Sequence, residues 1–158
     1  MYYRTVKFSD LFTNIPLVAA TISCITAQLK KPIIGLHSGT GFNKHMMVST
    51  GGMPSSHTST VVSLTTAVAM TSGLGSIEFA ICFVFSFIVM HDAMNIRLEA
   101  GKQAEVINEW SKILSQIHQD GAFTPTNLKT LLGHSFAQVI GGIFHGLVVG
   151  ILVTKLMM

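Results

Sequence analysis

Charge is what this chain has least of. Of 158 residues, ten are Lys or Arg and seven are Asp or Glu, 11% together. An ordinary soluble domain carries about 25%, so much of this surface must avoid water. The net charge of +3 is mild. Its cations lie scattered between apolar runs, as in membrane proteins, and form no patch suited to nucleic acid. Cysteine is also scarce. Cys24 and Cys82 both fall inside apolar runs and read as small core residues rather than a disulfide. None of the seven histidines stands in an HExxH or paired His/Cys spacing, so no metal site is expected. No P-loop, dinucleotide fingerprint or Gly-x-Ser-x-Gly elbow occurs, which argues against nucleotide cradles and serine hydrolases. No fixed-period repeat appears, and the length suits one domain over residues 1–158.

Apolar sequence is abundant instead. Hydrophobic residues make up 49% and the mean hydropathy is +0.54. No charge occurs between Asp10 and Lys30, between Lys44 and Glu78, between Glu78 and Asp92, or between Lys129 and Lys155. A crossing helix takes about 20 apolar residues. Leu11–Leu29 and Leu131–Thr154 satisfy that, and Pro54–Ser72 nearly does although it is rich in Ser and Thr. Ile77–Met90 reaches full length only with Ser76, Glu78 and His91-Asp92 at the interfaces. The expected fold is therefore all-α, an integral membrane bundle of about four transmembrane helices. A soluble all-α bundle is the competing reading, favoured by the short third run. Arg4 and Lys7 precede the first run as in a signal peptide, but no small-x-small site follows, so a retained helix is expected.

Gly73-Leu74-Gly75 reads as a turn. Over 98–120, Ala100, Ala104, Ile107, Trp110, Leu114 and Ile117 recur at helical spacing opposite Lys102, Glu105, Glu109 and Lys112. That predicts one amphipathic helix at the interface or on the spans. In the last run, Gly142 and Gly146 form a small-xxx-small face for close packing.

With alternating crossings, the chemistry gathers at one end of the bundle. Lys31 follows the first run, Gly51-Gly52-Met53-Pro54-Ser55-Ser56-His57 opens the second, Asp92 and Arg97 follow the third, and Gly133-His134 opens the fourth. A Pro-started, Ser-bearing helix N-terminus is a natural anion site. His57 in its first turn can exchange a proton near pH 7. Arg97 can grip phosphate oxygens in pairs, and Lys31 can add charge. Structural readings stand beside each of these. They are a capped helix start with a satisfied histidine, an Asp92–Arg97 ion pair, and lysines that anchor a span. This end carries Lys30, Lys31, Lys44, Arg97, Lys102, Lys112 and Lys129, against Arg4, Lys7 and Lys155 at the other. The positive-inside rule then places the site end in the cytoplasm.

At these residues the chain resembles the type-2 phosphatidic acid phosphatase and vanadium-haloperoxidase superfamily, closest to its small divergent membrane branch. The resemblance rests on Ala27-Gln28-x-x-Lys31, the stretch from Ser49 to His57, Asp92-Ala93-x-x-x-Arg97-x-x-x-Gly101-x-Gln103-Ala104, and Leu131-Leu132-Gly133-His134 with Val139 and Gly142. It implies that Lys31, Ser55 and Arg97 bind phosphate, with backbone amides near Ser56. It implies further that His57 protonates the leaving alkoxide, and that His134 is the nucleophile, forming a phosphohistidine that water hydrolyses. No metal or other cofactor is implied.

The chain departs from the superfamily pattern in four places. Ser56 replaces the usual Gly, and Lys44 is the nearest substitute for an absent Arg. A long insertion separates Arg97 from His134. Gln138 stands where an acid should orient the nucleophile, a role that Asp92 could fill from the neighbouring span. The expected activity is hydrolysis of a lipid phosphate or diphosphate in a bacterial plasma membrane. The alternative is a catalytically inactive membrane protein that binds phosphorylated lipid or scaffolds partners. Membrane lipid is the expected partner. A homodimer is one way four short spans could enclose a lipid site.

Overall fold

The computed structural model describes residues 7–37, 47, 51–117, 127–130 and 132–158. Lys44, Ser49, Thr50 and Leu131 lie outside them. The described elements are all helical: α1 (Asp10–Thr13), α2 (Ile15–His37), α3 (Ser56–Thr71), α4 (Ile77–His91), a π-helical turn (Asp92–Ile96), α5 (Arg97–Ile117) and α6 (Phe136–Met157).

Three helices are long and apolar enough to cross a membrane: Ile15–Leu36, Ile77–Ile117 and Phe136–Met157. The fourth crossing expected over Pro54–Ser72 falls on α3, which has 16 residues and is short of the usual 20. Its composition has a packing explanation, because α3 lies at the centre against α2, α4 and α6. Towards α2, Ser23 Oγ meets Ser59 Oγ at 2.6 Å, and Ser63 Oγ donates to Ala19 O at 3.0 Å. Towards α4, Thr65 Oγ1 and Ser86 Oγ lie 2.8 Å apart. Hydroxyls serve here as short interhelical ties, where leucines would hold the helices apart.

Towards α6 the device is glycine. A Cβ on Gly142 would lie 2.7 Å from Ser55 O, one on Gly146 2.6 Å from Ser59 O, and one on Gly150 3.0 Å from Ser63 O. Glycines at four-residue steps thus face serines at four-residue steps, and the two backbones nearly touch. The small-xxx-small face expected at Gly142 and Gly146 extends by one more turn.

The turn at Gly73 is as expected, with φ +87°. Ser76 caps α4, accepting from Phe79 N at 3.1 Å. Other boundaries differ from the sequence reading. α2 does not stop at the lysines but carries Lys30, Lys31 and Pro32 within it. The amphipathic helix is not a separate element. It continues α4 through the π turn as one run of 41 residues, roughly 60 Å at 1.5 Å per residue. No Gly or Pro between His91 and Arg97 offers a place to stop. Cys24 and Cys82 are free thiols.

Candidate active site

The chemistry-bearing residues meet where α2 and α4 end and α3 and α6 begin. Two backbone bonds join the motif segments. Ser55 N donates to Gln138 O at 2.9 Å, tying the start of α3 to α6, and His134 N donates to Ala93 O at 2.9 Å, tying the α6 approach to the π turn. π turns inside α-helices commonly mark functional sites. Gly133 makes the second tie reachable. Its φ is +81°, and a Cβ there would fall on the Arg97–Leu98 backbone. Gly101, a turn further along α5, allows the same closeness, since a Cβ would come 2.6 Å from Thr130 O. The glycines after Arg97 and before His134 are therefore two sides of one crossing.

The two imidazoles face each other. His57 Nδ1 lies 3.5 Å from His134 Nε2, with ring centroids 5.7 Å apart and edge to face. His134 is 1% exposed. Its other nitrogen, Nδ1, lies 3.1 Å from Gln138 Oε1. That same oxygen accepts from Ser135 N at 3.2 Å, while Ser135 Oγ accepts from Gln138 N at 3.4 Å. This is a capping box. The backbone N–H can only donate, so the amide oxygen must face it, and His134 Nδ1 must then carry the hydrogen. The lone pair of neutral His134 is consequently on Nε2, towards His57. A residue that caps a helix also sets the tautomer of a histidine.

The cations surround this pair. Lys31 is 1% exposed, and its stem packs at 3.5 Å from the position of a Cβ on Gly52, whose φ is +93°. Lys31, Arg97 and Asp92 act electrostatically on His57. Burial pushes the His134 imidazole below the ordinary histidine range. The Gln138 hydrogen bond pulls it back up, and the Lys31 charge, the His57 ring and the Arg97 charge push it further down. Ser55 is fully buried. Its Oγ caps α3, accepting from Thr58 N at 3.3 Å and Thr58 Oγ1 at 3.0 Å, which leaves one hydroxyl hydrogen to give. Ser56, buried beside it, is the first residue of α3.

Asp92 does not take the orienting role that its position in the sequence suggests. Its carboxylate takes the Arg97 Nε at 2.6 Å, while the His134 ring is oriented by Gln138. Of the residues that sequence reasoning singled out, His57, His134, Lys31, Ser55, Ser56, Arg97, Asp92 and Gln138 share one end of the bundle; Lys44 is not among the described residues. Two structural contributors were missed. Ser135 completes the cap that fixes Gln138, and its S-x-x-Q spacing was a readable signal. Asn108 pairs with both backbone atoms of Leu128, at 2.8 Å and 2.9 Å, and tethers the chain arriving at His134. No local pattern announces that second tie. Among the described residues no group of His, Cys, Asp and Glu could hold a metal ion.

The chain is 37% identical over 153 residues to the uncharacterized membrane protein YuiD of Bacillus subtilis (strain 168), covering 92% of this chain and 94% of that protein. No solved structure matches. The Divergent PAP2 family matches residues 12–149, and with those motif residues brought together at one end of a helical membrane bundle, the chain belongs to that family.

Proposed function

We propose that this protein is a metal-independent phosphatase acting on a lipid phosphate or diphosphate, through a phosphohistidine on His134. The observation that carries the reading is the facing imidazole pair, with His57 Nδ1 3.5 Å from His134 Nε2, the nitrogen that the Gln138 contact leaves without a hydrogen. In the first step Nε2 attacks phosphorus, the bond to the lipid oxygen breaks, and His57 gives its proton to that oxygen. In the second step His57 takes a proton from water, the water oxygen bonds phosphorus, and the His134 N–P bond breaks. Lys31 and Arg97 offset charge on the phosphoryl oxygens, the main demand of this chemistry. A near-attack distance alone is about 3 to 3.5 Å, so the 3.5 Å imidazole contact must open to admit phosphorus.

An apolar cleft supports a lipid substrate. It measures about 650 Å³, is floored by α3 and is walled by α4 and α6. Of its lining residues Val62 and Met90 come nearest the site in sequence, about one and a half turns from His57 and about half a turn from Asp92. The exposed Phe83 and Phe87 line it, so a hydrocarbon chain could enter from the side. The test is phosphate release from phosphatidic acid, phosphatidylglycerophosphate and polyprenyl diphosphate by purified protein, with vanadate as inhibitor. Turnover that survives His134→Ala undiminished rules out the proposed nucleophile.

Two observations favour a second reading, a non-catalytic binder of phosphorylated lipid in a bacterial plasma membrane. The Arg97 guanidinium is already engaged by Asp92 at 2.6 Å, and an uncharged Gln138 orients His134. Lipid-phosphate binding without turnover by the wild type would select it.

A further inference from the structure

A second polar cluster lies away from the imidazole pair, between α2 and α6. His145 is in the middle of α6 and 7% exposed. Its Nδ1 lies 3.1 Å from Lys30 Nζ, and its Nε2 lies 3.0 Å from Thr26 Oγ1. An ammonium only donates, so Nδ1 accepts and Nε2 carries the hydrogen. Thr26 Oγ1 receives that hydrogen and passes its own to Ile22 O at 2.7 Å. Every member of this relay is thus satisfied in one direction, and its outcome is to hold one ammonium in place.

Among the described residues, no acid neutralises that ammonium. The ion pairs among the described residues are Arg97–Asp92 and Lys102–Glu99. Lys30 stands about two turns, roughly 10 Å, before the end of α2, inside the apolar run Ile15–Leu36. A charge at that depth is costly unless it is paired or serves a ligand. Beside it runs a groove of about 260 Å³, whose lining joins Lys30 and His145 to the apolar Phe144, Val148, Met53 and Pro54. Phe144 is 71% exposed and Val148 40%, so the groove is open along an apolar flank. A cation in one place and hydrocarbon along the rest match an anion that carries a chain.

We propose that this groove binds an anionic glycerophospholipid, its phosphate on Lys30 and an acyl chain against Phe144 and Val148. The site is separate from the imidazole pair and does not depend on the phosphatase reading. Its far wall is the loop that carries Ser55 to His57. Met53 from that loop lies over Gly141, where a Cβ would come 2.9 Å from the Met53 Cε. A bound lipid therefore braces the motif loop from its outer side.

Native mass spectrometry of the purified full chain, titrated with phosphatidylglycerol and with phosphatidylcholine, tests the proposal. The wild type is expected to retain phosphatidylglycerol preferentially. Lys30→Gln should cut that preference about tenfold or more, the worth of one charged hydrogen bond, and Lys30→Arg should keep it. His145→Phe, which leaves the charge but removes its holder, should weaken it. Val148→Trp, on the open flank, should exclude both lipids without touching the relay. His134→Gln should leave retention unchanged. Equal retention by wild type and Lys30→Gln overturns the site. Loss of retention in His134→Gln would move the lipid to the imidazole site, and displacement by millimolar inorganic phosphate would show that the chain is not recognised; either result also overturns it.

Discussion

At the level of single side chains, Gln138 carries the most consequence. It stands where a carboxylate would both orient and stabilise a charged imidazole, and an amide can do only the first. Gln138→Ala should cost about tenfold in kcat/KM, the worth of one hydrogen bond, and lower thermal stability through the lost cap. Gln138→Glu keeps the capping geometry and adds a negative charge beside Nδ1. It should move the acid limb of the rate profile to higher pH. In the wild type that limb should lie below about 6.5, the ordinary histidine value, because burial favours neutral His134. A kcat/KM profile over pH measures both shifts. Stability follows the same sign. Between the folded-state pKa and about 6.5 the unfolded chain binds more protons, so stability rises with pH there and falls as pH drops through that window. His57→Ala should lose about 10²- to 10⁴-fold in turnover, as expected for a general acid.

The helices explain why the Ser- and Thr-rich run is the central one. α3 has too little apolar surface to face lipid on all sides. It trades that surface for hydroxyl ties to α2 and α4 and for glycine contact with α6. Gly146→Ala should push α3 and α6 apart, because its Cβ would lie 2.6 Å from Ser59 O; a loss of about 1–3 kcal/mol is expected for such overpacking. Gly75→Ala, where a Cβ meets nothing within 4 Å, is the control. Thermal unfolding in detergent compares the two. Thr65→Val should cost less, about 0.6 kcal/mol, as membrane hydrogen bonds usually do. Helix positions were legible from charge-free gaps, and the turn from Gly73. The end of α2 was not, because a lysine pair looks like a boundary in composition although long stems let a helix carry it further. The join of α4 to α5 was signalled only by the lack of a breaker.

For the molecule as a whole, α2 and α4 end, and α3 and α6 begin, at the same end, so the site is one-sided. Among the described residues that end carries Lys30, Lys31, Arg97, Lys102, Lys112 and Lys129, against Lys7 and Lys155 at the other. The positive-inside rule predicts a cytoplasmic site and a C-terminus on the opposite face. A cysteine placed after Met158, in a background lacking Cys24 and Cys82, should react with a membrane-impermeant maleimide on intact cells.

Composition and order were readable along the chain: apolar runs that must leave water, and the motif residues between them. Those follow from local chemistry, since burial and helix period act on neighbouring residues. Packing settled the rest. It made Gln138 the shared partner of Ser135 and His134, turned Lys30 towards His145 and Lys31 towards Gly52, and drew Gly133 onto the α4–α5 backbone. Most of those contacts join atoms distant along the chain, and only close packing selects which of them meet.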